Sequence, residues 1–256
     1  MSSNNICLKQ TNDSDLEEFY TKQKISQSDI IIHKKLLISE VEGHQLNQND
    51  IIVNCGGMLN GQRNRTDGIA LFGLGKIDNN DFTFTAKGNN VTIEHLFFIY
   101  YNIEKRTYYI RTYTMTPYNF IFLIQINRYY EITQEEYFML GDVFFIMTPE
   151  KKKIAISIYK NGKVKNEKEF IANEEDESFT IGRSIICNLP YMDDKSFSKV
   201  HCTIRYINNQ WWIIDGTERK QSTNGVWLVP NKSYEIYDGI NFKILGCSKC
   251  VIRIKD

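Results

Sequence analysis

Phe179-Thr180-Ile181-Gly182-Arg183, Ser198-Lys199-Val200-His201 and Ser222-Thr223-Asn224-Gly225 are three short clusters in the last third of the chain. Each stands where a β-rich run gives way to a polar loop. Together they can bring a guanidinium, two hydroxyls, an ammonium and a carboxamide to one target. No nucleophile–base pair and no metal-ligand cluster accompanies them. The expected chemistry is therefore binding of a phosphorylated residue, not catalysis.

The residue types suit that ligand. A phosphothreonine carries roughly −1.5 to −2 charges and several acceptor oxygens. Arg183 offers a planar fork of donors, which matches a phosphate better than the point charge of a lysine. Ser198 has a hydroxyl to donate, Lys199 adds a second cation, and Thr223 and Asn224 arrive from another loop. A carboxamide both donates and accepts, so Asn224 is suited to clamping the main chain of an extended peptide. Gly182 lets the chain turn sharply at a strand end, and Gly225 is expected at positive φ.

The rest of the composition narrows the class. The chain has 256 residues, is 42% hydrophobic and 24% charged, and balances Lys+Arg 31 against Asp+Glu 31 for a net charge of +0. That length suits one large domain or two ordinary ones. The missing basic excess argues against general nucleic-acid binding. No apolar run reaches a membrane span, and Met1-Ser2-Ser3-Asn4-Asn5 lacks a charged and then apolar leader, so an intracellular setting, cytoplasmic or nuclear, is expected. The six cysteines are scattered except for Cys247-Ser248-Lys249-Cys250. No second pair stands at zinc-ribbon spacing and no βαβ context suggests redox chemistry, so reduced thiols in a terminal hairpin are expected and no cofactor or metal.

Residues 1–28 are polar. Ser14-Asp15-Leu16-Glu17 has capping-box spacing and fits a short helix start, while the acidic neighbours also make Thr11 and Ser14 candidate phosphorylation sites. From Ile30 onward short apolar runs alternate with turn signals such as Asn60-Gly61, Asp67-Gly68 and, later, Asn161-Gly162. Closely spaced short strands predict an all-β chain of sandwich type. Thr148-Pro149-Glu150-Lys151-Lys152-Lys153 breaks the apolar rhythm and is the expected linker between one domain over 29–148 and a second over 151–256. Trp211, Trp212 and Trp227 read as core or strand aromatics.

The two halves echo each other. Ile69 to Lys76 resembles Ser178 to Arg183. Thr92-Ile93-Glu94-His95 follows Lys76 as Ser198-Lys199-Val200-His201 follows Arg183. Tyr137 to Phe145 is matched with Tyr234 to Phe242. A tandem of one fold is expected, the first copy the more diverged.

The ordered set Gly-Arg, Ser-x-x-His and Ser-Thr-Asn-Gly resembles the forkhead-associated (FHA) domain over about residues 151–256. The resemblance implies a two-sheet β-sandwich whose loops at one end bind phosphothreonine peptides. By motif position Arg183, Ser198, Lys199 and Thr223 would touch the phosphate and Asn224 would hold the peptide backbone. His201 would brace the loops, with Gly182 and Gly225 shaping them. The loop Gly216 to Gln221 is longer than the pattern, which leaves selectivity beyond the phosphothreonine open. In the first half Lys76 and Thr92 would stand for Arg and Ser, and Thr116-Pro117-Tyr118-Asn119 would stand where the Asn-Gly is missing. That implies a degenerate copy with a structural or partner-binding role. The whole chain is then expected to be a non-enzymatic phosphothreonine-peptide adaptor with two tandem FHA-like sandwiches. The alternative is a phosphate-independent protein-interaction scaffold.

Overall fold

The computed structural model describes residues 34–43, 46, 50–61, 68–75, 80–85, 93–113, 121–160, 163–192, 194–245 and 247–256. The N-terminal segment with its helix signal, Ile30-Ile31-Ile32, Lys76, Thr92, Thr116-Pro117-Tyr118-Asn119 and Asn161-Gly162 lie outside these residues. Every described element is a strand, so the chain is all-β. It forms two compact units, one of Met1–Phe122 with Pro230–Asp256, the other of Leu123–Val229.

The first unit contains β1 (Lys35–Glu42), β2 (Ile51–Asn54), β3 (Gly57–Met58), β4 (Ile69–Leu74), β5 (Phe82–Phe84), β6 (Ile93–Asn102) and β7 (Thr107–Thr112). The second opens with β8 (Phe122–Gln125) and continues through β9 (Tyr129–Ile132), β10 (Glu136–Leu140), β11 (Val143–Glu150), β12 (Lys153–Lys160), β13 (Lys163–Ile171), β14 (Glu177–Gly182), β15 (Leu189–Pro190), β16 (Cys202–Ile207), β17 (Gln210–Asp215) and β18 (Val226–Val229). The chain then returns to the first unit as β19 (Tyr234–Glu235), β20 (Ile240–Ile244) and β21 (Ser248–Lys255).

Alternation of side chains explains the strands. In β1 Leu36 and Ile38 are fully buried while Lys35 is exposed, the period of two that a half-buried strand requires. Within the first unit the strands run β20-β21-β1-β2-β3-β4-β6-β7-β19, with β5 beside β4. Its core is aromatic: Phe97 stacks on Phe72 at 4.4 Å and on Phe122 at 4.2 Å, and meets Phe242 edge-on at 5.5 Å. Such pairs add to the burial of their area.

The second unit is a two-sheet sandwich. One sheet runs β13-β12-β11-β10-β18-β8 and the other β15-β14-β16-β17-β9. Rings join the layers: Phe170 of β13 stacks on Phe179 of β14 at 4.5 Å, and Tyr130 of β9 meets Phe138 of β10 at 5.8 Å. Trp211 and Trp227 are buried and Trp212 is half-buried.

The stretch expected to be a linker is a hairpin inside the second unit. Lys151 and Lys152 form a two-residue turn, with Lys151 at φ 41°, and Glu150 pairs with Lys153 on either side of it. A connection that short makes its flanking strands obligate antiparallel neighbours. β12 therefore pairs with β11, and the compact units divide at 122/123 and 229/230 rather than at 148–151. In the first unit β21 lies beside β1, with Leu36 opposite Ile254 and Ile38 opposite Ile252.

β9 lies beside β17 with Ile213 opposite Tyr130, and β19 lies beside β7 with Ile110 opposite Tyr234. The identical triplets Tyr130-Glu131-Ile132 and Tyr234-Glu235-Ile236 thus lie at the strands that pair with β17 and β7.

Candidate functional site

β14 ends at Gly182, and the residues after it are stitched to the loop before β16. Arg183 N–H donates to the Ser198 carbonyl at 2.8 Å, Ser184 N–H to the Lys199 carbonyl at 2.9 Å, and His201 N–H to the Ile181 carbonyl at 2.8 Å. Gly182 permits this approach by lacking a side chain. A Cβ there would come within 2.8 Å of Val200 Cα and 2.9 Å of the His201 nitrogen, and closer still to the Lys199 carbonyl. Its φ is not in the left-handed region, so close approach and not a special turn requires glycine. Gly225 does take positive φ, +74°, and an added Cβ would meet the Gln125 amide.

The third cluster is fastened to the second through hydroxyls. Ser198 Oγ accepts the Thr223 amide proton at 2.9 Å and lies 3.4 Å from Thr223 Oγ1, so the two hydroxyls sit side by side. Asn224 Nδ2 donates to the Ser196 carbonyl at 2.9 Å, while the Asn224 carbonyl accepts the Trp227 indole proton at 2.7 Å. Arg183, Lys199, Thr223 and Asn224 are exposed and Ser198 is half-buried. The clusters expected to converge do so through their backbones and through Ser198 and Thr223.

His201 lies beneath them, fully buried. Its Nδ1 accepts the Ser198 amide proton at 3.2 Å and its Nε2 donates to the Gly225 carbonyl at 3.1 Å. These two partners define a neutral ring protonated at Nε2. Burial pushes the imidazole below its ordinary pKa, against the pull of the Gly225 carbonyl. Under the third cluster, Ser222 Oγ donates to Asp215 Oδ1 at 2.5 Å and accepts the Gly225 amide proton at 2.9 Å. Burial raises the Asp215 carboxyl, opposed by its hydrogen bonds from Ser222.

Several residues that hold the site are not singled out by its motifs. Asp194 Oδ1 accepts both the amide proton of Ser196 at 2.8 Å and its hydroxyl proton at 2.5 Å. Asp-x-Ser is the signal for such an Asx turn. Asp215 carries no comparable signal, and Ser222 stands in the third cluster with no role of its own legible from the sequence. The longer loop closes on itself through Thr217 N–H to the Lys220 carbonyl at 2.8 Å, and its Glu218 pairs with Arg205.

Residues 179–244 match the family model of the FHA domain, a stretch that contains all three clusters. The match begins in the second compact unit and ends in the first. No curated protein and no solved structure matches the chain.

Proposed function

We propose that the chain is a phosphothreonine-peptide-binding adaptor without catalytic activity, acting through the second unit. The observation that carries this reading is the paired hydroxyls of Ser198 and Thr223, in loops that also carry exposed Arg183 and Lys199 within the FHA-matched stretch. Arg183 would supply a bidentate charge-assisted pair to the phosphate and Lys199 a second positive charge. The Ser198 and Thr223 hydroxyls would donate to the remaining oxygens. Asn224 would keep its contact with Ser196 and offer its second amide proton and its side-chain oxygen to the peptide main chain. Gly182, His201 and Gly225 fix the loops before the ligand arrives, which lowers the ordering cost of binding. The implied partner is a kinase product, and an intracellular setting also suits the free cysteines Cys55, Cys187, Cys202, Cys247 and Cys250.

We further infer that the chain consists of two FHA-like repeats that exchange their last three strands. Support comes from reciprocal pairing: β21 lies beside β1 and β11 beside β12, while β19 lies beside β7 and β9 beside β17. The first repeat would serve a structural role by donating β9–β11. At the position equivalent to His201, His95 Nδ1 bonds Asn80 Oδ1 at 2.8 Å and packs on Tyr113, a different arrangement from the brace in the second unit.

Titration of the full chain with a degenerate phosphothreonine peptide library and its unphosphorylated counterpart tests the main reading. Binding to the phosphorylated pool alone is expected. Equal binding to both pools would point to the phosphate-independent scaffold instead.

A further inference from the structure

We infer that the β10–β11 turn is a positioning part of the candidate peptide site, acting through Ser196 on Asn224. This rests on the phosphopeptide reading of that site. The turn lies outside the FHA-matched stretch, yet it and the strand that follows it meet the loop between β15 and β16. Asp142 N–H donates to Ser196 Oγ at 3.1 Å. Gly141, at φ +58°, has no side chain to fill the gap: a Cβ would come within 2.9 Å of Phe197 Cδ2 and closer still to Ser196 Oγ. Phe145 of β11 meets Tyr191 at 5.4 Å and Phe197 at 6.2 Å, and Phe197 in turn lies 5.0 Å from the His201 ring.

Ser196 is the junction. Its hydroxyl accepts from Asp142 and donates to Asp194, which fixes the peptide unit whose carbonyl accepts the Asn224 side chain. Asn224 is thereby held in one orientation by a segment that precedes the matched stretch. Losing the Ser196 hydroxyl, or pushing Ser196 away with a side chain at 141, frees the carboxamide. Peptide affinity then falls because Asn224 must be ordered on binding. Contact with the phosphate alone does not pass through this chain of bonds.

The test uses the full chain, with wild type, Ser196→Ala, Gly141→Ala, Asn224→Ala and the Ser196→Ala/Asn224→Ala pair, each checked by thermal melting. The probes are the best peptide from the phosphothreonine library, followed by calorimetry, and free phosphothreonine, followed by NMR titration. Ser196→Ala and Gly141→Ala should weaken the peptide about tenfold, the loss of one well-placed hydrogen bond. They should change free phosphothreonine by less than about twofold. On the Asn224→Ala background, Ser196→Ala should cost less than about twofold more, since coupled residues are not additive. The inference is overturned if wild type binds and Ser196→Ala binds equally well, if its loss multiplies with that of Asn224→Ala, or if free phosphothreonine weakens as much as the peptide. Should Gly141→Ala not fold, Ser196→Ala decides. A wild-type chain that binds no phosphothreonine peptide overturns the reading of the site itself, and this inference with it.

Discussion

His201 and Gly225 are joined by a buried hydrogen bond of 3.1 Å from Nε2 to the carbonyl, and this bond ties the loop of the second cluster to the loop of the third. Replacing His201 with Ala leaves the Gly225 carbonyl and the Ser198 amide without their partners and opens a cavity beside Phe197. The expected cost is about 2–4 kcal/mol. Chemical denaturation of the variant checks it. A loss under about 0.5 kcal/mol would mean that His201 does not brace the loops.

The same ring predicts a pH dependence. Burial holds the folded-state pKa of His201 below the unfolded one. As pH falls below about 6.5, the unfolded chain takes up the proton first, and stability is lost until the folded pKa is passed. Asp215 acts in the opposite direction, because its raised pKa favours the fold as pH falls through the folded value. A His201→Gln chain should therefore lose less stability than wild type between about pH 7 and pH 5. Parallel slopes in melting temperature would count against a neutral buried ring.

Gly182→Ala places a methyl against the backbone of Lys199 to His201, where no flexible side chain can give way. A destabilisation of about 1–3 kcal/mol is expected, together with weaker peptide binding, since the Arg183–Ser198 and Ser184–Lys199 bonds must lengthen. Melting and calorimetry on one preparation read both effects. An unchanged melting temperature would show that the strand end relaxes freely.

Arg183→Ala should cost about 2–5 kcal/mol of phosphopeptide binding, as for a charged partner left alone. Arg183→Lys should recover only part of it, because a point charge does not reproduce the planar fork. The side chain is exposed, so the melting temperature should stay within about a degree or two of wild type. Wild-type affinity in Arg183→Ala would remove the phosphate reading of the site.

The division into units predicts where the chain can be cut. A fragment spanning Phe122–Val229 retains both sheets of the second unit, β8 to β18, and should fold and bind the phosphothreonine peptide within about tenfold of the full chain. It lacks β20, in which the FHA match ends. An unfolded fragment by circular dichroism would mean that the second unit depends on Pro230–Asp256.

Much of the site was legible in the sequence because its chemistry is local: Gly-Arg, Ser-x-x-His and Thr-Asn-Gly each lie within a few residues at a strand end. The all-β class was legible too, from alternation such as that of Leu36 and Ile38. The strand partners were not. Lys151-Lys152-Lys153 reads as a solvated linker, and composition does not distinguish a linker from a two-residue turn. Gly141-Asp142 and Asp238-Gly239 resemble each other as turns and set Tyr137 to Phe145 against Tyr234 to Phe242. On the proposed repeat, the identical Tyr-Glu-Ile at 130–132 and 234–236 gives the alignment that fits the pairing of β9 and β19. Ser196 escaped notice because its role depends on Asp142, far away in sequence and close only after folding.

The division of the chain has a consequence for its synthesis. Leu123–Val229 is continuous, so all of its strands have been made once Val229 leaves the ribosome. The other unit must wait: Leu36 of β1 finds Ile254 only after β21 has been made. At typical translation speeds that delay is roughly ten to forty seconds, during which one edge of β1 stands open to stray strands. Nascent chains stalled after Val229 would hold one finished module and one whose β1 edge is still unpaired.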